Sequence, residues 1–326
     1  LILTMYFKTK GVVLISILLI VLLLSSVAVL FGNKYLLSLK RAQYIEFQSL
    51  SFNSFRNIES LSKKLINKEL RFNSSKLSKN NPIINNEITF NINNAEIIGR
   101  IRDASNCFNI NSIVNVNNGN YVENTKTVNA FRRLMEFLDV ESNITEEMVD
   151  QIIDWIDKDS NPRTYGLEDY YYSGPLHTPR EYSGMRLLVS IDELKGIPAF
   201  KEVSWSIFKD NFCALPLGTN LSLNINTLSE SDSYLLTAMY PNIDLKDAEY
   251  IIDNIPMEGF ENNDNLQRAF PDLDFSISNG DVKFTSNLFE LTTIIKFNDY
   301  SASSKSIIVY GSDRNGYIIS RIYNGI

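Results

Sequence analysis

Between residues 154 and 172 the chain reads Asp-Trp-Ile-Asp-Lys-Asp-Ser-Asn-Pro-Arg-Thr-Tyr-Gly-Leu-Glu-Asp-Tyr-Tyr-Tyr, its densest run of carboxylates. Asp157 and Asp159 lie two apart in a segment that Pro162 and Gly166 force into loop, so both side chains can converge while carbonyls between them turn inward. Ca²⁺ takes six to eight oxygens, typically closely spaced carboxylates and main-chain carbonyls. The expected ligand set is Asp154, Asp157, Asp159, Glu168 and Asp169. The spacing is not that of an EF-hand, because the glycine and terminal glutamate such a loop requires after its first aspartate are missing. Two other readings stay open: a solvated acidic loop with helix caps, or a paired acid and base of a membrane-anchored hydrolase centred on Asp157 and Glu168.

Most other chemistry is excluded. There is no G-x-S-x-G, no phosphate-binding glycine loop, no C-x-x-C and no H-E-x-x-H. His177 is the one histidine, which rules out multi-histidine metal sites, and in Leu-His-Thr-Pro it reads as a loop residue. With 31 Lys and Arg against 38 Asp and Glu over 326 residues, the chain lacks the clustered positive charge that nucleic-acid phosphates need. Cys107 and Cys213 are the only cysteines. Bonded, they would tie the first strand region to the end of the helical middle; the alternative is two independent buried thiols.

The elements that must position these residues begin with an apolar run. Residues 12–31, VVLISILLIVLLLSSVAVLF, carry no charge, and twenty helical residues span the roughly 30 Å of a bilayer's hydrocarbon core. Lys8 and Lys10 precede it, which by the positive-inside rule keeps the amino end cytoplasmic and sends the remainder across the membrane. No small-x-small cleavage signature follows, so a secretory signal is disfavoured against an anchor. Helical spacing of Phe55, Ile58, Leu61 and Leu65 extends the same helix through residues 32–78 and requires a sheet to cover its stripe. Strand-like alternation occupies 79–123 and returns over 275–326, where Gly311–Gly316 reads as a hairpin loop. Between them, residues 124–274 are helical and carry an internal repeat. Phe108-Asn109-Ile110-Asn111-Ser112 and Leu223-Asn224-Ile225-Asn226-Thr227 each precede a helix-rich stretch, and Asn, Ser and Thr cap helix starts. Ser190 to Pro198 suggests a further small hairpin. The unit looks like a helix-hairpin-helix module, yet its turn between Tyr240 and Asp247 lacks glycine and carries extra carboxylates, so nucleic acid is not the expected partner.

Lys8-Thr9-Lys10-Gly11 running straight into Val12 resembles a prepilin-type leader. In that family an inner-membrane peptidase cuts after the glycine and methylates the new amino terminus, here Val12. The fifth mature residue, normally Glu, is Ser16, which suits a subunit with none above it. Combined with Asp154 to Tyr172, the run DASNCFNIN from Asp103 to Asn111, and Cys213-Ala214-Leu215-Pro216, the chain resembles the K-type minor pseudopilins of bacterial type II secretion from Gly11 onward. The resemblance implies an α+β fold: a pilin-like helix on an antiparallel sheet, with an all-α, helix-hairpin-helix or SAM-like domain inserted in the sheet. It further implies calcium in that insertion, no catalytic activity, and a place at the tip of the periplasmic pseudopilus. Its implied partners are I- and J-type minor pseudopilins, the major pseudopilin, prepilin peptidase and the inner-membrane secretion platform. The expected divisions are leader 1–11, transmembrane helix 12–31, helix continuation 32–78, sheet domain 79–123 with 275–326, and insertion 124–274.

Overall fold

The computed structural model describes residues 10–92, 94–215, 218–311 and 315–326. Most of the expected leader (1–9), Pro216 of the second cysteine motif and the middle of the 311–316 loop lie outside the described residues. Helix α1 (Lys10–Phe72) has 63 residues, about 95 Å at 1.5 Å per residue. Its side chains from Val13 to Phe31 are exposed, and among the described residues it is the one helix long and apolar enough to cross a membrane.

Further along, α1 buries Phe47, Ser51, Ser54, Phe55, Ile58, Glu59, Ser62 and Ile66 at helical spacing. The stripe runs to one side of the expected one: Leu61 and Leu65 are half-buried, while serines occupy the contact line. Small residues let helix and sheet approach closely. Across the interface, a Cβ on Gly99 would lie 2.9 Å from Ile58 Cγ2. The helix ends at Phe72, short of residue 78, because the following backbone is claimed elsewhere: Leu77 N–H donates to Phe284 O and Lys79 N–H to Asn226 O. The short α2 (Pro82–Asn85) is capped by Asn81 and opens on proline.

Strands β1 (Ile88–Ile92) and β2 (Ala95–Asp103) form an antiparallel pair before the chain leaves the sheet. It then makes β3 (Phe108–Asn109), a 3₁₀ turn over Ile110–Ile113, and the hairpin β4 (Val114–Asn117) and β5 (Asn120–Glu123). Helices α3 (Thr125–Phe137), α4 (Ser142–Ile156), α5 (Asp169–Tyr172) and α6 (Trp205–Asn211) lead to β6 (Phe212–Cys213) and β7 (Ser222–Asn224). Helices α7 (Ser233–Met239), α8 (Leu245–Asp253) and α9 (Asn263–Ala269) lead to β8 (Asp281–Lys283). The sheet resumes with β9 (Leu288–Phe297), β10 (Tyr300–Tyr310) and β11 (Gly316–Asn324), giving the order β1-β2-β9-β10-β11 with every neighbour antiparallel.

Thus β2 and β9 are in register, Ala95 opposite Phe297 and Asp103 opposite Phe289, although residues 104–287 separate them. The α1-to-sheet core gives the body a direction. Tyr300, beside the β9–β10 turn, stacks 5.3 Å from Phe47, whereas Tyr310 at the other end of β10 donates its hydroxyl to Lys63 O at 2.6 Å. Glu59 Oε1 accepts from Ser306 Oγ at 2.7 Å and from Arg321 Nε at 2.8 Å, pinning the helix to the last two strands. The insertion therefore departs from the end of the sheet remote from the apolar run.

A second hydrophobic core belongs to the insertion, from Phe108 and Ile110 through Phe131, Ile152, Phe212, Leu236 and Ile252 to Phe270. It includes Ile113 and Val114, which alternation assigned to the sheet; both faces of that segment are buried, so the alternation marks a linker, and the cores divide near residues 103 and 288. The internal repeat is visible in the backbone. Asn109 and Asn224 each accept from the amide two residues on, opening a 3₁₀ turn. In each, the next Asn bridges a distant backbone: Asn111 bonds N–H and C=O of Leu188, and Asn226 those of Phe260. A short parallel pair precedes each turn, β3 with β6 and β7 with β8. The stretch from Ser190 to Pro198 forms two 3₁₀ turns, opened by a capping box on Ser190 and Glu193. Cys107 and Cys213 are bonded across the β3–β6 pair.

Candidate metal centre

Helix α4 delivers Asp150 and Asp154 one turn apart and stops at Asp157, whose extended backbone starts the loop. The loop is folded by its own polar groups. Asp159 Oδ1 accepts from Asn161 N–H at 2.8 Å, the local turn for which aspartate is suited. Asp154 Oδ2 accepts from Arg163 N–H at 3.1 Å, and Asp150 Oδ2 from Tyr165 N–H at 3.1 Å. The Arg163 guanidinium reaches Glu123 at 2.8 Å and Asp150 at 3.5 Å, joining β5 to α4. At Gly166 a Cβ would fall 1.8 Å from Asp154 Oδ2, so only glycine lets the loop close here. The chain then enters α5 with Glu168 at its N-cap.

This path brings Asp157, Asp159 and Glu168 together, with one carboxylate oxygen from each within 4.8 Å of the others. Asp154 and Glu168 are buried, Asp157 nearly so, and Asp159 is exposed. Asp154 Oδ1, Asp157 Oδ1 and Glu168 Oε1 have no hydrogen-bond partner, which is costly for ionised oxygens out of water. Burial, reinforced by the neighbouring carboxylates, pushes Asp154 and Asp157 up to about 6 and Glu168 up to about 7. An oxygen-only donor set with orphaned buried lone pairs and mutual repulsion fits a hard divalent cation, which would supply the missing partner to Asp157 and Glu168 and positive charge near Asp154. Asp169 is directed otherwise: its Oδ1 accepts from the amide and hydroxyl of Ser183, both at 2.7 Å.

Tyr172 is fully buried beneath the carboxylates, edge-on to Trp155 with ring centres 4.9 Å apart. His177, read from sequence as a plain loop residue, does lie in a loop but is only 3 % exposed and bonded to Glu181. No spacing rule flags such a residue, because its partners are brought in by the loop's return. Two cavities, one around Tyr240 and Asn263 and one around Tyr44 and Tyr300, lie away from the acidic loop. At the helical hairpin's turn, the carbonyls of Pro241 and Ile243 accept from the Arg133 guanidinium, which ties the turn to α3.

A long amino-terminal helix laid on an antiparallel sheet, with a helical domain spliced between two adjacent strands, defines a pilin-like fold carrying an inserted domain. Models of the family Type II secretion system (T2SS), protein K match residues 106–217 and 223–277, together just over half of the chain. The chain belongs to that family. A candidate type II secretion system protein K of Escherichia coli (strain K12) is 34 % identical over 103 residues, which span 31 % of this chain and 31 % of that relative's length. Among solved structures, a chain in the crystal structure of the GspK-GspI-GspJ complex from the enterotoxigenic Escherichia coli Type 2 Secretion System matches with a TM-score of 0.71. It is 23 % identical, and the match covers 87 % of this chain and 99 % of that one, a likeness of fold.

Proposed function

We propose that the protein is a minor pseudopilin seated at the tip of a type II secretion pseudopilus, where it initiates and caps the fibre. The observation that carries this reading is the 104–287 insertion between β2 and β9. It projects from the end of the body farthest from the apolar stem, and Lys76 and Leu77, just past α1, hold it there through Glu258, Glu261 and Phe284. A subunit stacked above by its own stem would meet this domain; one packed below would not. The apolar stem anchors the chain in the inner membrane with its body in the periplasm. Prepilin peptidase cuts after Gly11 and methylates Val12, both in the first turn of α1. The partners are I- and J-type minor pseudopilins, which the name of the matched complex supports, then the major pseudopilin and the inner-membrane platform.

The acidic loop binds Ca²⁺ through Asp157, Asp159 and Glu168, with Asp154 behind them and Asp169 holding the loop's return. The ion is structural: it supplies positive charge where three carboxylates converge and so fixes the loop in the tip domain. The three oxygens lie nearer one another than the carboxyl separation of about 5–9.5 Å across which glycosidases seat their substrates. Co-expression with I- and J-type pseudopilins tests the assignment. A stoichiometric ternary complex supports it, whereas a chain that remains alone with both partners present contradicts it.

A further inference from the structure

The segment from Ser173 to Met185 leaves α5 and returns to the end of α4, and its backbone hydrogen bonds run to the elements that carry the acidic cluster, while the Glu181 carboxylate also packs against Gly196. On the outward leg, Ser173 N–H donates to Asp169 O at 2.9 Å and Gly174 N–H to Tyr171 O at 3.1 Å. On the return leg, Glu181 N–H donates to Tyr172 O at 3.1 Å, Ser183 bonds Asp169 Oδ1, and Met185 N–H donates to Trp155 O at 3.0 Å. Both legs approach through glycines without room for a side chain. A Cβ on Gly174 would lie 2.6 Å from Tyr170 O, and one on Gly184 2.8 Å from Trp155 Nε1. The segment is a strap, and Leu176 and Tyr182 on its outer side are largely exposed.

Inside the strap sits the chain's one histidine. His177 Nε2 is 2.6 Å from Glu181 Oε1, which joins the outward leg to the return leg. Its ring stands nearly perpendicular to Tyr172 at 5.2 Å and tilted against Tyr171 at 5.7 Å. Tyr172 is the last residue of α5, and Glu168 caps the other end of that single turn. Pressure on Tyr172 therefore reaches Glu168 through one rigid helical turn. We propose that His177 and Glu181 are positioning residues for the cation: their contact keeps the strap closed against Tyr172, holds Glu168 toward Asp157 and Asp159, and thereby sets how long the ion is retained. This inference rests on the calcium reading of the acidic loop.

The test uses the full chain in lipid nanodiscs loaded with calcium, with release triggered by excess chelator and followed by tryptophan fluorescence. Variants separate the contact from the ring: H177F keeps an aromatic group but removes the hydrogen bond, E181A removes the partner at a half-buried site, and H177Q keeps a donor. Supporting groups behind metal ligands are worth about 10–100-fold in affinity. H177F and E181A are expected to release calcium about tenfold faster with association unchanged, while H177Q stays within about twofold of wild type. Release rates equal across the set overturn the inference, as does a loss of cation-free melting temperature that accounts for the whole effect. A wild-type chain with no calcium-release phase overturns the calcium reading and the latch together.

Discussion

The sharpest consequence of the acidic loop concerns how stability depends on pH when no cation is bound. Asp154, Asp157 and Glu168 titrate higher in the fold than in the unfolded chain, where aspartate and glutamate titrate near 4. Burial raises them, so the fold favours their neutral forms. Their stabilising contribution is complete below about pH 4 and is lost as pH rises through about 6 to 7. Taken alone, a carboxyl moved from 3.8 to about 6 accounts for about 3 kcal/mol, at 1.36 kcal/mol per pH unit. The three are neighbours and titrate as a set, so the values do not add. Because pH 4.5 already lies above the unfolded aspartate's titration, the expected loss between pH 4.5 and 7.5 is at least about 2 kcal/mol in the presence of chelator. On the proposed calcium reading, bound Ca²⁺ would reverse the trend by pairing the ionised forms, adding about 2.7 kcal/mol at a hundred times its dissociation constant. Denaturant titration followed by the fluorescence of Trp155 and Trp205, both in the insertion, measures this directly. The window avoids more acid pH, where Glu290, held low by Lys305 and Arg102, begins to lose its pairing. A chelated protein whose stability is flat or rises from pH 4.5 to 7.5 would refute the argument that these carboxylates are buried and unpaired.

Three further variants probe the loop's closure, the disulfide and the helix-to-sheet contact. Gly166→Ala drives a methyl into the Asp154 carboxylate and should cost about 1–3 kcal/mol and most of the calcium affinity, as read by calorimetric titration beside melting. Replacing Cys107 and Cys213 by serine opens a loop of 106 residues, worth up to about 4–5 kcal/mol by chain entropy; melting of the insertion should fall sharply while the sheet's hydrogen exchange is unchanged. Glu59→Ala leaves Arg321 and Ser306 without their acceptor and should cost about 3 kcal/mol, seen as faster exchange in β10 and β11 only.

Much of the architecture was legible because it rests on periodicity and punctuation. An uncharged twenty-residue run and alternation in Phe289–Ile294 and Ser306–Tyr310 are local patterns, and each appears as the element they imply. The Asn-x-Asn repeat was legible for the same reason: a side chain capping its neighbour leaves a fixed spacing. What local pattern could not supply is which segments meet. Phe108 to Val114 alternates like a strand but is enclosed by the helical core, and the contact line of α1 selects Ser51, Ser54 and Ser62 because the sheet approaches too closely for larger residues. In the acidic loop, composition marked the carboxylate cluster, whereas the convergence of Asp157, Asp159 and Glu168 depends on how the loop's own polar groups fold it, and the turning of Asp169 toward Ser183 and the burial of His177 depend on the strap's return, 14 residues beyond Asp169 for its anchoring serine.

The claim on which the assembly role depends is that the apolar stem is a processed pilin-type stem rather than a plain anchor. Intact and amino-terminal peptide mass spectrometry after co-expression with prepilin peptidase measures this most directly. The account predicts a mature chain beginning at Val12 and carrying one methyl group on its amine. A chain that keeps Lys10 and Gly11, uncut in the presence of active peptidase, would contradict it.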